Sequence, residues 1–528
     1  MSPHTPQNNL PTKKRARVEA AARPRRIIFN SDAQDLARDD ADTPEGFLGQ
    51  RMAPLVGTQV GTISWSVLCG QFDAPCYDCR VQPIYGDAHA GPVAAWPNIT
   101  PNVKALMRDH RCPLHLVVDF AHAHGVEAFA SIRMNDVHDS FLGPHAMTEW
   151  KLTHPQWMID TRGMLPEYEL YTTAQDFTHE PVRRRKLEII ADIAERYDVD
   201  GFELDYIRHP VLFSRVVRGE PCTDAEIETI TAMMRDVRRI GDAAAQRRGR
   251  PMLIATRTPD SFAICRSHGM DVEAWMDEDL VDILVAGGGY APNSMPLDEW
   301  VAAAATHDVP VYPCINLAVA AGLSDGSFLE AVRGLSANAY LGGASGVYFW
   351  NLATPFEWVT GDEIEATRRR QYACLDEVGE PQTMVGKDKL FAVDRDCGNA
   401  HRYYSRVSAP WPLPVSSKCG PLRTGVIGRV PIEIGDDVAA HPPSRATFTV
   451  TFDDPQWKEA LLFRLNGLEL CGGAFTSGVD RDDCHLRYEV DPSLLRTGRN
   501  FVEVAARHVT LPECVVNLTA MRLEVRYA

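Results

Sequence analysis

The stretch Asp200-Gly-Phe-Glu-Leu-Asp-Tyr-Ile-Arg-His-Pro210 decides how this chain is read. Side chains alternate across a strand, so Phe202, Leu204 and Tyr206 fall on one face and Gly201, Glu203 and Asp205 on the other. Two carboxylates on one face at the end of a buried strand are costly unless they are paired or used. Pro210 stops the strand directly after them. In a closed barrel of parallel strands, reactive acids stand at this position. The alternative is a buried Asp that only holds a loop through backbone hydrogen bonds.

Outward from this segment, apolar strand-like runs alternate with amphipathic helices. The runs cover residues 26–32, 61–68, 126–136, 199–208, 252–257, 281–286, 309–316 and 346–351. Several are continuously apolar, as strands covered by helices are. Helices are expected over 114–124, 184–197, 224–247, 297–306 and 325–335, with Thr223 and Glu226 spaced as a capping box. Eight such repeats predict an α/β fold, a (β/α)8 TIM barrel over residues 25–358. A doubly wound sheet is the competing fold, but Gly287-Gly288-Gly289 lacks the spacing of a phosphate loop. Residues 359–385 read as a closing helix and linker. From 386 to 528 the pattern changes to short strands and turns, which predicts an antiparallel, jelly-roll-like β-sandwich.

The net charge of −17 over 528 residues argues against a nucleic-acid partner. No apolar run reaches the ~20 residues of a membrane span, so no membrane partner is expected, and a homo-oligomer stays open. Residues 1–24 read as a disordered basic leader; the run Lys13-Lys14-Arg15-Ala16-Arg17 also resembles a nuclear import signal. Without a secretory pattern the expected location is cytoplasmic. Thirteen scattered cysteines suit reduced thiols better than a disulfide framework. Cys69, Cys76 and Cys79 cluster locally, and His89 with Cys112 would complete a zinc site only if folding brought them together.

The run 200–208, with Gly269-Met-Asp271-Val-Glu-Ala-Trp275 ahead of Leu280-Val-Asp-Ile-Leu284, resembles the glycoside-hydrolase-like barrels of the glycosyl-hydrolase-like family 10 type. Leu465-Asn-Gly467 and residues 494–500 resemble the galactose-binding-like sandwiches attached to such barrels. Asp200, Glu203 and Asp205 also fit the spacing of the chitinase-type motif, but Ile207 occupies the acid position and has no proton to give. A clan whose fourth-strand Asp is itself the nucleophile is the closer analogue. It wants an acid after the sixth strand, where Ala286-Gly287-Gly288-Gly289-Tyr290 offers none.

The resemblance implies hydrolysis of an O-glycosidic bond in a carbohydrate substrate, with a polysaccharide lyase or a carbohydrate-binding protein as alternatives. Asp205 is expected as nucleophile or base. Asp136 is the first choice for the acid, Glu203 the second and Glu357 the third. Strand ends would also bring Asp32, Trp65, Asn135, His138, Arg208, Arg257, Tyr290, Asn316, Trp350 and Asn351 to the substrate, beside Asn30, Arg133, His209 and Asp260. Polar groups would take hydroxyls or a uronate, and a ring would stack on a sugar face. A lyase would use His138, Tyr290 or Lys151 as base. No cofactor or metal is expected, although Asp32, Asp136, His138 and Asp205 are ligand types that could converge.

Overall fold

The structure, a computed structural model, describes residues 12–68, 73–91, 93, 96–207, 209–287, 295, 297–315, 327–352, 361–394, 428–452, 459, 461–477, 484–506 and 518–528. Eight parallel strands close into a barrel: β1 (Arg26–Ser31), β2 (Val60–Ser66), β3 (Glu127–Arg133), β4 (Gly201–Asp205), β5 (Leu253–Thr258), β6 (Ile283–Ala286), β7 (Val311–Ile315) and β8 (Gly346–Trp350). Strand β1 pairs with both β2 and β8, which rules out the open doubly wound sheet. The alternation in the decisive segment holds. Phe202, Leu204 and Tyr206 join the outer core under the helices, whereas Ile28, Phe129, Leu253, Ile283, Tyr312 and Tyr348 fill the interior. Gly201 sits on the inner face because nothing larger fits: a Cβ there would lie 2.6 Å from the Leu253 carbonyl oxygen and 2.8 Å from the Phe129 ring.

Local chemistry explains where helices begin. The Thr223 side chain accepts from the Glu226 N–H at 3.3 Å, and the Glu226 carboxylate accepts from the Thr223 N–H at 2.7 Å, so the helix Asp224–Arg248 starts on the expected capping box.

The N-terminal expectation needs correction. Thr12–Ala21 is a helix rather than part of a disordered leader. Its sequence is polar, but its contacts are tertiary. Ala21 joins the inner barrel core, and Arg17 pairs with the carboxylate of Asp282 at 3.0 Å. Behind it, the fully enclosed Arg25 reaches Glu127 at 2.7 Å. The helix therefore closes the end of the barrel opposite the strands' C-termini.

Among the described residues nine antiparallel strands follow: β9 (Lys389–Asp394), β10 (Gly428–Ile434), β11 (Arg445–Phe452), β12 (Leu461–Leu465), β13 (Leu468–Glu469), β14 (Ala474–Ser477), β15 (Cys484–Val490), β16 (Gly498–Ala506) and β17 (Leu518–Arg526). They form a four-stranded sheet, β10-β16-β12-β13, and a five-stranded sheet, β14-β15-β11-β17-β9. Burial alternates along β10 and β15, so each sheet has one apolar face. Phe463 of one sheet meets Tyr488 of the other at 6.1 Å between ring centres.

The sheets dock on the barrel helix Phe328–Leu341. A Cβ on Gly334 would lie 2.0 Å from the Leu390 carbonyl oxygen, so backbone meets backbone there. Gly334→Val should cost about 1–3 kcal/mol through forced separation of helix and strand. Calorimetry would show this as a lowered unfolding midpoint, and an unchanged midpoint would mean that the two do not touch.

Candidate active site at the mouth of the barrel

Strand register stacks the interior of β3, β4 and β5 in rows. The lowest is Phe129–Gly201–Leu253, the next Ser131–Glu203–Ala255, and the highest Arg133–Asp205–Arg257. The apolar row forms a floor. The middle row holds one carboxylate, and the top row sets an aspartate between two arginines at the strands' C-terminal ends.

Glu203 is enclosed. Its carboxylate accepts from Ser64 Oγ and Ser131 Oγ at 2.7 Å, Tyr348 OH at 3.0 Å and Asn30 Nδ2 at 3.1 Å. Burial, then the neighbouring Asp205 charge, pushes its carboxyl upward against these donors. It ties four strands to its own one row below the mouth, which fits an orienting role and not the proton donor expected as second choice.

Asp205 Oδ2 accepts from Arg257 Nη1 at 3.0 Å, and Oδ1 accepts from the Ile207 N–H at 3.2 Å. The Arg257 guanidinium lies 5.2 Å from the Trp350 ring centre and 5.5 Å from that of Tyr348. Trp350 thus shares the interior with Asp205. Across the mouth, Arg133 bridges Asp32 and Asp136, the latter at 3.0 Å, and Asn351 donates to Asp32. Asp136 Oδ1 accepts from the His138 backbone N–H at 3.0 Å and lies 2.9 Å from His138 Nδ1. The His209 ring stands 4.9 Å from that of His138.

Several expectations change. Trp65 faces away from the interior: it packs on Phe47 at 6.0 Å and donates to Asp35 at 3.3 Å, because Ser64 and Ser66 take the inward positions of β2. Asn135 is consumed by the scaffold. It donates to the carbonyls of Gln175 at 2.9 Å and Val211 at 2.8 Å, and accepts from the Gln175 N–H at 3.0 Å. Asp136 is unsuited to be the acid. Burial pushes its carboxyl up, but His138, Arg133 and His209 outweigh burial and hold it well below the usual range. Lys151 is enclosed in a pair with Asp139 at 2.8 Å and is no free base. Arg208, Tyr290, Asn316, Glu357 and Cys69 lie outside the described residues.

The ligand types left open as an alternative, Asp32, Asp136, His138 and Asp205, do not converge on one ion, since the Arg133 cation already bridges Asp32 and Asp136. Among the described residues, only Asp136, His138 and His209 bring three ligand atoms within 4.8 Å of one another. Cys76, Cys79 and Cys112 join no such group among the described residues. No helix among the described residues is long and apolar enough to cross a membrane.

Asp260 stands out beyond the expected set of acids. It follows β5 three residues past Arg257, and its Cβ lies 3.8 Å from where a Cβ on Gly287, just past β6, would sit. Its backbone carbonyl is held by Trp300 Nε1 at 2.9 Å, while its buried Oδ1 has no hydrogen-bond partner among the described residues. Burial pushes its carboxyl up to about 6. Its place just past a barrel strand was the available signal.

No family model matches the chain, and no curated protein matches it. Among solved structures, the glycoside hydrolase domain of PgaB (BpsB) from Bordetella bronchiseptica is 15% identical, with 65% of this chain and 98% of that chain covered and a TM-score of 0.37. A family 18 chitinase from Chromobacterium violaceum is 11% identical, with 94% and 89% covered and a TM-score of 0.35. Alpha-L-fucosidase isoenzyme 2 from Paenibacillus thiaminolyticus is 13% identical with a TM-score of 0.38; 66% of this chain matches, spanning 49% of that one. Likeness at this level assigns the chain to no family.

Proposed function

We propose that this protein is a glycoside hydrolase acting on an O-glycosidic bond of an oligo- or polysaccharide, with Asp205 as nucleophile or base and Asp260 as proton donor. The reading rests on the row Arg133–Asp205–Arg257. It gives an inward carboxylate at a strand's C-terminal end, oriented by a guanidinium at 3.0 Å and a backbone N–H at 3.2 Å. Glycoside hydrolysis needs two carboxyl groups in opposite protonation states. Asp260 meets the second requirement, because burial without a partner for Oδ1 favours its neutral form. Asp32, Asn351 and His138 are then hydroxyl contacts, and Trp350 offers a ring face. The mouth's arginines among the described residues are already matched, Arg257 with Asp205 and Arg133 with Asp32 and Asp136, which favours a neutral sugar over a polyanion.

The test is a screen of neutral oligosaccharides read by product mass. Products that together exceed the substrate by one water establish hydrolysis. With Asp260 as donor, kcat/KM should fall as pH rises through about 6, since the acid form is lost there. Asp260→Asn should remove that limb along with most of the rate. A limb that persists in the variant would take Asp260 out of the mechanism.

One observation favours a second reading, a lyase. Asp136 at 2.9 Å from His138 Nδ1 sets the ring to work through Nε2, as a base would. Conserved total mass with an ultraviolet-absorbing product would decide for it. We read the C-terminal sheets as a brace, because Asn338 donates to the Glu433 carbonyl at 3.2 Å and Arg526 joins Glu330 at 3.2 Å to Asp388 at 2.9 Å. A galactose-binding-like jelly roll would instead bind sugar with the mouth disabled.

A further inference from the structure

A second cleft, of about 380 Å³, opens between residues 81–88, residues 148–157 and the start of the helix Glu180–Arg196. Its walls follow β2 and β3 and lead into β4, so it lies at the same end of the barrel as Asp205. The chain that forms its aromatic wall is the one that leaves the mouth at Asp136. Its volume falls within the range of small-molecule sites.

The walls are tied together without a ligand. His89 and Thr148 form an antiparallel bridge, and the Glu149 N–H donates to the Ala88 carbonyl at 2.9 Å. Thr148 caps the short helix Glu149–Thr153, which carries Trp150; Pro155–Trp157 turns back so that Trp157 lies 5.3 Å from it. His154 stacks on Trp157 at 3.9 Å. The Arg185 guanidinium, held by Asp73 at 2.7 Å, lies 4.2 Å from the Trp150 ring centre. Neither indole can turn without breaking these contacts. Trp65, Trp275 and Trp300 are wholly enclosed, whereas Trp150 and Trp157 are only half-buried. Asp87, Glu149, Arg184 and Glu188 stand around them. The exposed ion pairs here, Asp87 with Lys104 and Arg184 with Glu180 and Glu188, are surface pairs of small net worth, so hydroxyl groups can replace them at low cost.

Rigid aromatic faces with acceptors and a donor at their edge suit a ring whose faces are C–H and whose rim is hydroxyl. We infer that the Trp150–Trp157 cleft is a sugar-binding subsite, taking a neutral pyranose unit of a chain whose reacting bond lies in the mouth. The assignment of chain and bond rests on the hydrolase reading above; the binding chemistry of the cleft does not.

The experiment compares wild type with Trp157→Ala and, as a variant that keeps the aromatic wall, Glu149→Gln. Kinetics are measured on neutral oligosaccharides of increasing length, and direct binding is measured with the Asp205→Asn protein. Trp157→Ala should raise KM for long chains about tenfold and keep their kcat, while short chains that fill only the mouth keep kcat/KM. Glu149→Gln should shift KM in the same direction by less. Equal losses on short and long chains, or binding indifferent to Trp157→Ala, would overturn the subsite. Should wild type cleave no oligosaccharide, the hydrolase reading falls alone: binding that weakens about tenfold in Trp157→Ala still upholds the cleft, and no binding at all overturns both.

Discussion

Asp205→Asn should lower kcat/KM on the oligosaccharide found by screening by about a thousandfold or more, in a protein that still folds but is less stable, because the buried Arg257 charge loses its counterion. The amide has the carboxylate's shape and can still accept from the Ile207 N–H, which lies 3.2 Å from Oδ1 in the native protein. What it lacks is the charge that attacks the anomeric carbon or activates water. Sugar affinity should change little, since the polar groups of Asp32, Asn351 and His138 remain. The decisive pair of measurements is turnover by product mass and affinity by calorimetry. Full turnover in the variant would remove Asp205 from the chemistry and most of the hydrolase reading with it.

Arg257→Met should be among the most destabilising single changes in the barrel. Both Arg257 and Asp205 are nearly inaccessible to solvent, and they pair at 3.0 Å. Removing one partner of a buried ion pair typically costs about 3–5 kcal/mol, because the other charge stays in a poorly solvating place. Methionine fills much of the volume beside Tyr348 and Trp350, so lost charge rather than lost packing dominates. The double variant Asp205→Asn, Arg257→Met should recover most of that stability. Denaturant unfolding of the two single variants and the double variant closes the cycle. Additive losses would show that the pair does not act as a unit.

All eight barrel strands were legible because each is a short apolar run bounded by turns, and β4 could be assigned face by face from its alternation. The same alternation, applied to β2, would have turned Trp65 outward: Ser64 and Ser66 are the small polar residues that fit beside Glu203. The error came from treating nearness to a strand end as enough. Asp136 failed for a different reason. Its spacing to Arg133 and His138 is visible in the sequence, but His209 arrives from the end of another strand, and only folding brings that third charge to bear. The helix Thr12–Ala21 was invisible because its stabilising partners, Asp279 and Asp282, lie far along the chain.

The closing helix sets an order of events for folding. Arg17 and its partner Asp282 are separated by 265 positions, and the strand joined to the helix by a few residues, β1, pairs with β8 to complete the ring. Contacts that span so much chain form late, because each must first overcome the entropy of closing the loop between its ends. The helix precedes its partners in the chain and therefore finds its place after they have formed. Until it does, Ala21's neighbours Ile28, Phe129, Leu253 and Tyr312 line an unsealed apolar well. A growing chain must keep that well out of contact with other chains until β6 brings the anchor for Arg17 and β8 closes the ring on β1, and the barrel is exposed to aggregation until then.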